Sequence, residues 1–136
     1  MKTLFILSMT LLTTTSFATS ISSRKQLEIA QKEAKEVRRD LHISGHDNVA
    51  TSTPELISKT DLDYHYEDNK SPYHEDPLED EQISKLYQCF HSKTCALWSF
   101  ASSGEYWGGY GTSMHFVLIN LKTSNYKQIS HLTYAE

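Results

Sequence analysis

Beyond its first twenty residues, this 136-residue chain has no stretch long and apolar enough to span a membrane. It has no basic cluster either. Thirteen lysines and arginines stand against 17 aspartates and glutamates, a formal charge of −4. An acidic balance without a basic patch argues against nucleic acid or an anionic membrane as partner, and it favours a basic protein. Recognised catalytic patterns are missing as well. The chain contains no Gly-x-Ser-x-Gly elbow, HExxH helix or phosphate-binding Lys-Ser/Thr loop, and no calcium loop or zinc-ligand spacing. Glycine is scarce, five in all, yet four of them fall in GEYWGGYG, Gly104 to Gly111.

The first residues, MKTLFILSMTLLTTTSFATS, supply a positive Lys2, an apolar run from Leu4 to Leu12, and small residues at Ser16 and Ala18. That order is expected of a secretory signal peptide, residues 1–18, cleaved after Ala18. The apolar run is about half the roughly 20 residues that a membrane span needs. Export to the periplasm, or secretion, is the localisation this predicts, with no membrane insertion after cleavage.

There are two cysteines, Cys89 and Cys95, in CFHSKTC. In an oxidising compartment an even pair this close reads first as a disulfide. Closing so short a loop should stabilise a small fold by about 2 kcal/mol on the chain-entropy model. The rival reading is a thiol nucleophile served by His91 or His115, as in a Cys–His cell-wall hydrolase. The spacing is too short for that arrangement, no glycine-flanked cysteine opens a helix, and an oxidised sulfur cannot attack. Over seven residues, Cys89, His91 and Cys95 resemble the inhibitory loop of periplasmic lysozyme inhibitors, with the cysteine spacing changed by one. The resemblance implies a manner in which a stapled loop can plug a partner's cleft.

Along the chain, residues 19–45 predict a helix. Ser23 and Gln26 read as a capping box, and Leu27, Ala30, Ala34, Val37 and Leu41 form one apolar stripe. Lys32 is spaced to pair with Glu28 and Glu36. Residues 46–76 read as an acidic, largely irregular connector, with one helical turn starting at Thr53-Pro54-Glu55. Nine of the 17 acidic residues lie between Asp61 and Glu81. Within it DLDYHYED alternates like an edge strand, with Asp61, Asp63, His65 and Glu67 on one face and Leu62, Tyr64 and Tyr66 on the other. Such a face could hold a divalent cation, but solvated charge on an edge strand is the simpler reading, so neither metal nor cofactor is expected.

Asp76, Pro77 and Glu79 predict a second helix start, with Ile83, Leu86 and Tyr87 on one face. From the staple onward the pattern is β. ALWSFAS alternates, MHFVLINL is apolar enough for a strand covered on both faces, KTSN is a turn, and YKQISHLTY alternates again. Residues 77–136 with the helix of 19–45 therefore predict one α+β domain. An N-terminal helix and a short second helix would pack on one face of a small antiparallel meander of three to four strands.

The function expected is that of an exported, non-enzymatic binding protein, an inhibitor or immunity-type protein contacting another protein. The contact residues expected are Glu105, Tyr106, Trp107 and Tyr110 of the glycine-rich stretch, together with His91. Tyrosine and tryptophan give stiff contact area with a polar handle. The same rings could stack on sugar faces in a carbohydrate or peptidoglycan binder, or could simply cap the sheet.

Overall fold

The computed structural model describes residues 20–71 and 76–136. The expected signal peptide lies outside them. Among the described residues no helix is long and apolar enough to cross a membrane. The elements in chain order are α1 (Ser23–Ile43), β1 (Asp47–Thr51), β2 (Glu55–Leu56), α2 (Lys59–Asp68), α3 (Asp80–His91), β3 (Cys95–Tyr106), β4 (Gly109–Asn120) and β5 (Tyr126–Ala135). Among the described residues the fold is α+β: three helices on a five-stranded antiparallel sheet. The sheet runs β1-β3-β4-β5, and β2 pairs with β3 further along the edge that β1 occupies.

The helices cover both faces, not one. On the first face α1 buries Ile29, Ala30 and Ala34 against Trp98, Phe100, Val117 and Ile119. The alanines let the helix axis approach the sheet, and larger residues would hold it off. Trp98 Nε1–H donates to Gln26 Oε1 at 3.1 Å, so the one polar atom of the indole is satisfied there. On the second face Ile57, Leu62, Leu78, Leu86 and Cys89 pack against Leu97, Phe116 and Ile129. Strand β4 lies between two cores, which is why its sequence is apolar at consecutive positions.

The start of α1 is one residue earlier than expected: Ser22, not Ser23, caps it by accepting from the Lys25 amide at 3.2 Å. The segment expected to be an irregular connector is substantially structured. Glu55, expected to belong to a helical turn starting at Thr53-Pro54-Glu55, instead forms β2 with Leu56, paired with Ser99 and Trp98. DLDYHYED is not a strand but most of α2. Ser58 caps that helix by accepting from the Asp61 amide at 3.1 Å, and Leu62 anchors it in the second core. The edge of β3 that a further strand could have joined is already taken by β1 and β2.

The start of α3 falls three residues later than expected. The Asn69 side chain holds the backbone of Leu78 by two hydrogen bonds, 2.6 Å from its amide and 2.9 Å to its carbonyl. Leu78 is thereby kept extended and buried, and Glu79 becomes the cap, with its amide bonded to Gln82 Oε1 at 2.9 Å. The disulfide Cys89–Cys95 is formed and ties the last turn of α3 to the first residue of β3, as the cysteine spacing predicts.

Candidate functional site

GEYWGGYG is the outer end of a hairpin. Strands β3 and β4 pair residue for residue from Cys95↔Asn120 out to Tyr106↔Gly109, leaving Trp107 and Gly108 as a two-residue turn. Gly108 sits at φ +88°, a left-handed backbone that L side chains rarely adopt. The hairpin is braced almost to its tip. On one side Asp47 pairs with Glu105, and the Asn48 side-chain amide donates to the Glu105 carboxylate at 3.0 Å. On the other, Tyr110 and Glu136 exchange backbone hydrogen bonds of 2.9 Å each.

The bracing divides the expected contact residues. Trp107 is fully exposed, at 101% of its reference area. Tyr106 turns back to the face that α1 covers, where it meets His46 edge-on at 5.6 Å and lies over Gly109 and Gly111. Tyr110 and Glu105 are opposite one another on the other face. Hydrogen bonds from Thr112 and Ser103 hold the Tyr110 phenol below its ordinary pKa. His91 does not join this group. It lies at the far end of β3, stacked on Tyr87 at 6.2 Å, and the eleven residue steps from Cys95 to Tyr106 span about 35 Å.

Beneath the hairpin is a cavity of about 310 Å³, walled by Leu41, His46, Ser102, Gly104, Tyr106 and Leu132. Gly104 admits the histidine: a Cβ there would come within 3.2 Å of His46 Cβ. Ser102, buried at the inner end, lies 2.6 Å from His115 Nε2. His115 Nδ1 lies 2.7 Å from Ser130 Oγ and 2.9 Å from Gln128 Nε2. Burial, with a smaller contribution from the nearby His131, lowers the His115 pKa to about 4, so the ring is neutral at neutral pH. An amide nitrogen can only donate. With Gln128 so oriented, Nδ1 accepts and Nε2–H donates to Ser102.

In that tautomer the pair has the opposite polarity to an activated serine, whose histidine must accept the hydroxyl proton. Among the described residues no carboxylate is hydrogen-bonded to the ring. Nor is a Cys–His pair assembled: both sulfurs are in the disulfide, and Cys89 belongs to the second core while His115 stacks on Phe100 in the first, at 4.7 Å. The sheet stands between them.

The helical geometry of α2 splits the residues weighed as cation ligands into two i,i+4 pairs, Asp61 with His65 and Asp63 with Glu67. Asp63 bonds to Lys59 and to the Tyr87 hydroxyl at 2.8 and 2.7 Å. Among the described residues, no three histidine, cysteine or acidic side chains are grouped as metal ligands.

Sequence reasoning missed the cavity, because Leu41 and His46 were placed in a helix end and a connector. A signal was present. Placing the turn at Trp107-Gly108 fixes the register, and it sets Gly104 opposite Gly111, Ser102 opposite Ser113, and Phe100 opposite His115. Compared with known protein families, characterised proteins and solved structures, the chain matches none.

Proposed function

We propose that this chain is an exported, non-enzymatic binding protein that engages another protein through the tip of the β3–β4 hairpin, as an inhibitor or an immunity-type protein would. The observation that carries the reading is the exposure of Trp107 on a turn whose flanking strands are hydrogen-bonded to their last residues. A fully solvated indole contributes no burial to the fold, whereas on a rigid tip it is a preorganised anchor for a partner's pocket. Glu105 and Tyr110, half a turn back on one face, extend the contact with a carboxylate and a phenol. His91 is too distant to belong to the same contact.

The staple between Cys89 and Cys95 supports export into an oxidising compartment such as the periplasm. The acidic composition favours a basic partner, since complementary charge speeds encounter.

The test is capture of a partner from periplasmic extract by the wild-type chain and by Trp107→Ala. Loss of capture with an unchanged melting temperature supports the reading. A large fall in melting temperature, or undiminished capture, overturns it. Quenching of Trp107 fluorescence by peptidoglycan fragments, with no protein captured, would favour the carbohydrate-binding reading instead.

A further inference from the structure

The acidic composition hides a cationic groove. Helix α1 was expected to pair Lys32 with Glu28 and with Glu36, and neither pair forms. Glu28 contacts Arg24 and Lys25 instead, at 3.8 and 3.9 Å. Among the described residues Lys32, Lys35 and Arg38 have no carboxylate within ion-pair distance. Much of the charge of α1 divides between its two flanks, with Glu28 on the cationic side and Arg39 beside Asp40 as the exceptions. Glu33, Glu36 and Asp40 gather on the flank toward Tyr126, where burial and the neighbouring carboxylates raise the Glu33 pKa against an opposing hydrogen bond from Tyr126. Lys32, Lys35 and Arg38 gather on the other.

That second flank faces the bend between β1 and β2 across a cavity of about 570 Å³. The far wall is Thr51, Ser52 and Thr53, three consecutive hydroxyls, above buried Pro54 and Ala34. Ser52 Oγ already accepts from the Ala101 amide at 2.8 Å, which leaves its own proton to donate. One wall carries three cations and the other three hydroxyls that can donate, with Gln31 and Glu28 also in the lining. Glu28 stands at one end and would repel a polyanion that ran on past the groove, so the occupant is short. A cavity of this size suits a small molecule.

We propose that the groove between α1 and the β1–β2 bend binds a small polyanion carrying two oxyanion groups, of the diphosphate class. Lys32, Lys35 and Arg38 follow one another at about 4.5 Å of helix rise, so adjacent cations can each take one oxyanion. Arg38 offers the planar fork that grips two oxygens together. The threonine and serine hydroxyls close on the same groups from the opposite wall. This site lies about 20 Å from the hairpin tip, since Ser52 bonds to Ala101 six residues before Trp107, and it does not depend on the protein-binding reading.

Amide shifts of the isotope-labelled chain would be followed while inorganic pyrophosphate is added at constant ionic strength, with orthophosphate as the single-anion comparison. Saturable shifts at Lys32, Lys35, Arg38 and Thr51 to Thr53 are expected, with pyrophosphate bound about tenfold more tightly than orthophosphate. Lys35→Gln and Arg38→Gln should each weaken pyrophosphate by about tenfold without changing the melting temperature, and Lys85→Gln on α3 should not. Shifts that never saturate, or that respond equally to Lys85→Gln, would reduce the effect to ionic screening and overturn the proposal. Tighter binding of a glutamate-rich peptide than of pyrophosphate would also overturn it, by making the occupant a protein.

Discussion

Ser102 Oγ and His115 Nε2 lie 2.6 Å apart, buried on the face of the sheet that α1 covers. The pair offers a test of stability. His115 has its pKa lowered to about 4, below the ordinary 6.5, chiefly by burial. A histidine depressed on folding leaves the unfolded chain holding more protons between those two values. Its stabilisation is fully present above pH 6.5 and is lost as pH falls through 4. The expected loss across that window is about 3 kcal/mol. Denaturant titrations at several pH values should show it, and His115→Gln should flatten this part of the profile. A profile identical in the two proteins would mean that the ring is already charged in the fold.

Reduction of the Cys89–Cys95 bridge should cost about 2 kcal/mol, because the six-residue separation closes only a short loop. The double variant Cys89→Ala, Cys95→Ala should match the reduced protein, less a small cavity term at buried Cys89. Thiol titration of the native protein in denaturant should find no free sulfhydryl. Finding two would remove both the staple and the compartment inferred from it.

The glycines of the hairpin should differ sharply in what they tolerate. A Cβ at Gly109 would collide with the Glu136 carbonyl oxygen, so Gly109→Ala must push the chain end beyond β5 away. The paired bonds between Tyr110 and Glu136 would go with it, at a cost of about 1–3 kcal/mol. Gly108→Ala meets no neighbour but must hold a left-handed backbone, costing about 1 kcal/mol. Gly111→Ala finds only ordinary contacts at 3.5 Å and beyond, and should be nearly neutral. Thermal melts of the three variants check the order.

Tyr87 is raised to about 12, first by loss of water contact and then by donating its hydroxyl to Asp63. Following phenolate absorbance, Asp63→Asn should bring that titration down toward 10. If it stays near 12, burial alone sets the value and the 2.7 Å contact contributes little.

The parts legible in the sequence were those where one physical signal acted alone. The disulfide followed from spacing and compartment, and β4 from its unbroken apolar run. The stripe Leu27, Ala30 and Ala34 marked the helix face that packs. Misreadings arose where two signals competed. DLDYHYED alternates with period two, yet the Ser58 cap and the single anchor Leu62 make it a helix. Asp76-Pro77 looks like a helix start, but Asn69, nine residues before Leu78, holds the chain extended for one more turn. Long-range contacts of that kind leave no local pattern. The charge sorting on α1 was hidden for a related reason: i,i+4 spacing allows a pair, and only the neighbouring walls decide whether the side chains take it.

The two-residue turn has a kinetic consequence. Pairing of β3 with β4 begins by closing the smallest loop the chain offers, whereas Asp47 must find Glu105 across more than fifty residues. Loop entropy favours the near contacts first, so the hairpin should zip before β1, β2 or α1 has a surface to join. Gly108→Ala is then expected to slow folding, and Ala30→Gly on α1 to speed unfolding, in stopped-flow chevrons. The most exposed of the large hydrophobic residues, Trp107, would sit at the point where the chain starts to become one.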